Sequence, residues 1–373
     1  MKKHYQPATI AAHAAGATDP QSGGVVPAIQ PSTTYLRDEN YAPLRPDNIY
    51  SRADSDNLRQ AEEVLRRLEG AEDTMLFPSG MAAIAAVFRT LPNGGTAILQ
   101  SGIYWGTIAW IREFCARRDI TLVEVDADDL IATCQSQKAD LVFIETPSNP
   151  WLKTVDIRAV ADASDAILVV DGTAATPILT RALDHGADIA MHSATKAING
   201  HSDVLAGVLS TRAKDAPIWE MIRADRKMAG AILGPFEAWM LTRAMRTLPL
   251  RVERMSQNAQ MLAEYLLGHD AVEGVFYPGL PSHPGFETAQ KQMQGGFGSL
   301  LSVLVNGGRD GALRVVGKLE LFLSATSLGG VESLVEHRHT IEPHTGIPEN
   351  LIRVSVGIED ISDLIADWDQ ALD

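Results

Sequence analysis

His185-Gly186-Ala187-Asp188-Ile189-Ala190-Met191-His192-Ser193-Ala194-Thr195-Lys196-Ala197-Ile198-Asn199-Gly200-His201-Ser202-Asp203 is the stretch from which the fold can be read. The apolar run at residues 189–191 ends in hydroxyls at Ser193 and Thr195, a lysine, and a closing glycine. Short apolar runs bounded by turn residues mark strands buried on both faces. A lysine on fixed backbone just past such a strand, beside hydroxyls that can bind a phosphate, suits nucleophilic amine chemistry. The bland alternative is a surface lysine in a polar turn, since lysine is seldom buried. Residues elsewhere in the chain have to decide between the two.

Working outward, similar runs occur at residues 75–77, 97–99, 122–125, 141–144 and 167–170. Helical spacing separates them at residues 81–91, 108–117 and 158–163, and Leu58, Ala61, Val64, Leu65 and Leu68 predict a helix up to Gly70. This alternation predicts an α/β fold with a mainly parallel sheet covered on both faces. A long helical pattern over 236–268, then strand-like runs at 299–305, 321–323 and 352–356, predict a smaller α+β C-terminal domain. The expected organisation is an extended N-terminal arm over 1–47, rich in Pro, Gly, Ser and Thr, a large domain over 48–245 and a small domain over 246–373.

With 373 residues, 45% of them hydrophobic, 21% charged and a net charge of -15, the composition is that of a globular chain. There is no basic run, so nucleic-acid binding has no support. No run of about 18 apolar residues exists, so no membrane span is expected. The start, Met1-Lys2-Lys3, lacks the apolar core of a signal peptide. Cys115 and Cys134 form no CxxC and no framework, so neither a disulfide nor a zinc site is expected, and a cytoplasmic location fits. Glu336-His337-Arg338-His339 with His344 matches no common metal spacing; a solvated loop is the expectation there, with no metal.

In an open parallel sheet the ligand site lies beyond the carboxyl ends of the strands. Asp171 follows one run: it reads as a helix cap, or as the partner that keeps a pyridine nitrogen protonated. Pro78-Ser79-Gly80-Met81 turns a strand into a helix, a cap at Ser79 or a helix-start anion site at Gly80. Tyr104 could stack on a planar ring and keep its hydroxyl for proton transfer, or belong to the core. Asn149 in Glu145-Thr146-Pro147-Ser148-Asn149-Pro150 reads as a turn residue or as a donor to a ring hydroxyl or carboxylate. Arg52, after Tyr50-Ser51, is a solvated arginine or a phosphate clamp reaching a neighbouring subunit. Arg353 lies within an apolar strand, an expensive place for a charge without an anion; a substrate α-carboxylate would supply one.

HGAD leading into SATK and GHSD, SGMAA at Ser79, ETPSNP at Glu145, SLGGVESL from Ser327 and LIRVSVGIE from Leu351 stand in order along nearly the whole chain. Together they resemble the Cys/Met metabolism, or trans-sulfuration, family of pyridoxal-phosphate (PLP) enzymes of fold type I. The resemblance implies that Lys196 forms the internal aldimine with PLP and Asp171 pairs with its ring nitrogen. Gly80, Met81, Ser193 and Thr195 match the phosphate cradle, joined by Tyr50 and Arg52 from a neighbouring subunit. Tyr104 matches the residue stacked on the ring. Asn149, Ser327 and Arg353 match the groups that hold the cofactor hydroxyl and the substrate carboxylate. The resemblance also implies a homotetramer of two dimers that share active sites.

The chain departs from that pattern in places. Asp54-Ser55-Asp56-Asn57 replaces the usual wording after YSR, Asp171-Gly172-Thr173 stands for DNT, and the segment after SLGGVESL is unusual. Gly106 stands where methionine γ-lyases resemble one another in having cysteine. Thr326 replaces the glutamate of many γ-synthases and γ-lyases, and the tyrosine of some β-lyases. The expected activity is a lyase cleaving the Cβ–S or Cγ–S bond of cystathionine or a related amino acid. The alternatives are a γ-replacement enzyme (a cystathionine γ-synthase or an O-acylhomoserine sulfhydrylase), a γ-lyase for a non-sulfur homologue such as canavanine, or an inert PLP-binding relative. A nicotinamide dehydrogenase would need a GxGxxG after a strand, which the sequence lacks.

Overall fold

The computed structural model describes residues 5–373. Seven strands, β1 (Asp73–Phe77), β2 (Thr96–Gln100), β3 (Thr121–Val125), β4 (Leu141–Glu145), β5 (Ile167–Asp171), β6 (Ile189–Ser193) and β7 (Gly207–Thr211), form one sheet in the order β1-β7-β6-β5-β4-β2-β3. β2 to β6 pair in parallel, and β7 alone runs antiparallel, between β1 and β6. The sheet is sandwiched. Phe143 packs with Phe77, Phe88 and Trp219 on one face, while Val142 and Ile144 pack with Leu168, Val160 and Leu183 on the other. Burial of both faces is why these strands read as unbroken apolar runs rather than alternating ones.

The helix Asp56–Glu69 forms where its leucine spacing predicts. Ser55 caps it through Oγ, which accepts the Leu58 N–H, and Gly70 ends it in the left-handed region at φ 68°. Its apolar stripe packs on Leu76, Val208, Leu241 and Leu248. The N-terminal arm is not wholly extended: Pro7–Ala12 is a helix with Pro in its first turn, and Ile10 and Ala11 are buried in that same cluster.

The helical pattern over 236–268 is two helices, Pro235–Met245 and Leu248–Leu267, with Pro249 in the first turn of the second. Beyond them a second sheet holds β8 (Val272–Phe276), β9 (Leu300–Val305), β10 (Leu323–Ser324), β11 (Leu334–His337) and β12 (Leu351–Ser355), ordered β10-β11-β12-β9-β8. Only the β10–β11 pair is parallel. Val303, Ile352 and Val354 bury one face of it against Leu262 and Trp368. The predicted runs omit β7, β8 and β11. Gly274 interrupts β8 with a register shift, and β11 ends in Glu336 and His337, so neither presents a clean apolar pattern. Among the described residues no helix is long and apolar enough to cross a membrane.

Candidate active site

The carboxyl ends of β1, β4, β5 and β6 share one edge of the larger sheet. There they open onto a cavity of about 400 Å³ that β12 and the residues before β11 close from the other side. Every residue predicted for the site lines it, Gly80, Met81, Tyr104, Asn149, Asp171, Ser193, Thr195, Lys196, Thr326, Ser327 and Arg353, apart from Tyr50 and Arg52. Those two lie away from the cavity of their own chain. Tyr50 is exposed, and Arg52 donates to the Lys227 carbonyl at 2.8 Å.

Lys196 occupies the turn after β6. Its N–H donates to the Ser193 carbonyl at 3.1 Å, and Gly200 closes the turn onto the Lys196 carbonyl at 2.7 Å. Arg251, from the helix Leu248–Leu267, clamps this turn by donating to the carbonyls of Ala197 at 2.7 Å and Ile198 at 3.1 Å. Burial pulls the Arg251 guanidinium down to about 10. Beside the nearby Thr247 hydroxyl and Ala244 carbonyl, its partners in the Lys196 turn are carbonyls more than fifty positions away, so no local pattern reveals the clamp. The Lys196 amine donates to Ser327 Oγ at 2.9 Å. Burial and then the Arg353 guanidinium pull the amine down to about 8, against an opposing pull from Glu336. A lysine so placed is partly neutral near physiological pH and can act as a nucleophile or base.

Ser327 joins this amine to the cation across the cavity. Its carbonyl accepts Arg353 Nη2 at 2.6 Å, and its backbone has φ 147°, a region non-glycine residues seldom occupy. Such strain costs about 1–3 kcal/mol and persists where surrounding contacts over-determine it. Arg353 is 3% exposed, and burial pulls it down to about 10. Its Nη1 reaches Asn149 Oδ1 only at 3.5 Å, and its Nε has no partner.

Glu145, at the end of β4, was not among the expected site residues, yet it ties two of them together. One oxygen accepts the Tyr104 N–H at 3.1 Å and the other the Asn149 N–H at 2.6 Å. Burial, then the neighbouring Asp171, push its carboxyl up to about 8. Tyr104 caps the helix Trp105–Arg117, and its ring lies over Gly106. A Cβ at Gly106 would come within 2.7 Å of that ring, so any side chain there has to displace Tyr104. A glycine at 106 and this ring position go together.

The residues present fit PLP. Asp171 is 6% exposed, and its Oδ1 accepts the Thr173 N–H at 2.9 Å and the Thr173 hydroxyl at 2.5 Å. It makes no ion pair among the described residues, and burial raises its carboxyl above the ordinary range. A protonated ring nitrogen is the cation such a carboxylate lacks. Behind it, His192 Nε2 meets Glu69 at 3.0 Å. At the other end Gly80 opens a nine-residue helix whose first turn faces Ser193. A Cβ on Gly80 would lie 2.9 Å from the Ser193 Cβ, so only glycine leaves that space free.

The segment expected to be a solvated loop is exposed at residues 340–341 and 343–344, as expected there, but buried at residues 336–338 and at Glu342. Glu336 is 5% exposed, Arg338 1% and Glu342 6%, and Arg338–Ile341 forms a short helix. Arg338 lines the cavity, donates to Glu336 Oε2 at 2.5 Å and pairs with Glu342. Ion pairing makes the burial tolerable, and the Arg338–Glu342 spacing of four on a helix is the signal that was available. The histidines are committed singly. His337 bonds Thr340 and the Glu349 carbonyl, and His339 bonds the Ile347 carbonyl.

A lysine, a buried carboxylate and a helix start at the carboxyl edge of a mainly parallel sheet define the class, a PLP-dependent enzyme on an α/β frame. The sequence model of the Cys/Met metabolism PLP-dependent enzymes matches residues 8–373. A cystathionine gamma-synthase of Mycobacterium tuberculosis is 39% identical, over 98% of this chain and 96% of its own length. A cystathionine beta-lyase of Lactococcus lactis is also 39% identical, over 97% of both chains. Among solved structures, a methionine gamma lyase from Micromonospora echinospora superposes with a TM-score of 0.92 at 37% identity, covering 99% of both chains. The chain belongs to the Cys/Met metabolism family of PLP-dependent enzymes and is an enzyme of the trans-sulfuration lyase and synthase group.

Proposed function

We propose that this enzyme is a lyase that breaks the Cβ–S or Cγ–S bond of cystathionine or a closely related amino acid. The observation that carries this reading is the double use of Ser327. Its hydroxyl takes the Lys196 amine and its carbonyl takes Arg353, so one residue holds both the base and the carboxylate-binding cation. A substrate whose α-carboxylate meets Arg353 presents its Cα to Lys196. When bound, PLP supplies the electron sink for a carbanion at Cα. Lys196 removes the α-proton and, for loss from the γ-carbon, a second proton from Cβ. Tyr104 returns a proton to the departing sulfur. Asp171 holds the ring nitrogen, and the Gly80 turn with Met81, Ser193 and Thr195 holds the phosphate.

Tyr50 and Arg52 complete a neighbour's site in this reading. Their place outside the cavity of their own chain fits a homo-oligomer in which they reach a neighbour's site; the proposed assembly is a tetramer of two site-sharing dimers, and the proposed location is the cytoplasm. The proposed division between a PLP-binding large domain and a small domain near residue 246 is supported by the break between the helices Pro235–Met245 and Leu248–Leu267. A γ-replacement activity is the second reading, favoured by the Mycobacterium tuberculosis synthase, which is as similar as the beta-lyase.

Incubating the PLP-loaded enzyme with L-cystathionine and separating the keto acids tests the proposal. Pyruvate identifies β-cleavage and 2-oxobutyrate γ-cleavage. If neither forms, while L-cysteine and an O-acylhomoserine yield cystathionine, the lyase reading is wrong and the replacement reading stands.

A further inference from the structure

Arg353, the cation assigned to the substrate carboxylate, already has an anion beside it. Glu336 Oε2 lies 2.8 Å from Arg353 Nη2, with both side chains almost fully buried. Arginine and a carboxylate left to themselves favour a two-pronged pairing. A buried glutamate so close to Arg353 is an internal competitor for the group that has to bind substrate.

The competitor is held on one prong. Glu336 Oε1 is taken by the Thr326 hydroxyl at 2.6 Å. Its other oxygen is shared with Arg338 Nη1 at 2.5 Å, and Arg338 is itself fixed by Glu342. Arg353 therefore keeps a weakly engaged Nη1, 3.5 Å from Asn149, and an Nε without a partner. Two arginines face two glutamates, so the cluster is neutral before any substrate arrives.

We propose that Arg338 and Thr326 are positioning residues that restrain the Glu336 carboxylate, so that Arg353 stays open to the carboxylate of an incoming amino acid. The inference rests on reading Arg353 as the substrate-carboxylate group. It gives Thr326 a function, the second anchor on Glu336, and explains why a charged segment is buried beside the cavity. Affinity for the amino-acid carboxylate is set by how firmly Glu336 is kept to that single contact with Arg353.

The test titrates PLP-loaded protein with L-norvaline and with n-butylamine, which lacks the carboxylate, following the cofactor's visible absorbance. The readout is the ratio of the two dissociation constants, from which any general loss of packing cancels. Arg338→Met is made together with Glu342→Gln, so that one cation and one anion leave together. This pair lowers the preference for norvaline by about tenfold, one such step being the loss of a modest ionic restraint. Adding Glu336→Gln to it restores the preference. Glu336→Gln alone leaves one buried cation without its anion, so it is read only on protein with a cooperative melting transition, and there it raises the preference above wild type. An unchanged ratio in the Arg338 pair, or no gain with Glu336→Gln, overturns the proposal. A wild-type protein with no preference for norvaline overturns the reading of Arg353 itself, a different failure from a preference that the Arg338 pair leaves intact.

Discussion

Replacing Lys196 by alanine lowers turnover of L-cystathionine by at least about 10⁴-fold, the scale expected when one group serves as both nucleophile and proton carrier. The substitution leaves the fold intact. Lys196 contributes one side-chain hydrogen bond, to Ser327, worth about 1 kcal/mol net. The turn itself is held by backbone bonds and by Arg251, none of which involves the lysine side chain. Initial rates with a melting curve on the same preparation check both halves. A Lys196→Ala protein with rates within tenfold of wild type would remove the lysine from the chemistry.

Arg353→Met comes next in size. A methionine of similar length removes the cation that faces the substrate carboxylate, and truncating one partner of a buried charged contact costs about 2–5 kcal/mol. Glu336 is not abandoned, since Arg338 and Thr326 still hold it, so the loss falls on binding more than on folding. We expect KM for cystathionine to rise about 100-fold or more, with kcat changed much less. Steady-state kinetics on a folded, PLP-loaded variant decide it. A fall in kcat at unchanged KM would mean that Arg353 acts on the reaction step and not on carboxylate binding.

Most of the larger sheet was legible because its inner strands are buried on both faces; β7, equally buried but with only Val208 and Leu209 between Gly207 and Ser210, was not. At 141–144 every residue is apolar, and the residue after each run sits at the ligand edge. That rule drew attention to Asp171, the Gly80 turn and the segment holding Lys196, and the motifs along the chain were needed to choose among their readings. The smaller sheet was harder. β11 spends half its length on Glu336 and His337, whose burial depends on Arg353 and on the Glu349 carbonyl rather than on any local pattern. The break between the helices Pro235–Met245 and Leu248–Leu267 did leave a mark, Pro249, a residue that suits the first turn of a new helix and not the interior of a long one.

Among the residues around the cavity, those proposed to meet the ligand were picked out by chemistry and motif, while Glu145 and Arg251, which hold other residues, were not. Glu145 works through the backbone of Tyr104 and Asn149, which lie 41 and 4 positions away in the chain. Arg251 works through two carbonyls of the Lys196 turn, more than fifty positions away. Arg338 resembled a solvated charge because arginine usually is one. Its burial is acceptable because Glu336 and Glu342, two and four positions away, both pair with it.

The central claim is that Lys196 carries the cofactor. Reducing the PLP-loaded protein with borohydride fixes the cofactor to whichever amine holds it, and peptide mass mapping then reads the position. A single pyridoxyl mark on the peptide containing Lys196 is the predicted result; a mark on another lysine, or none, would contradict the account.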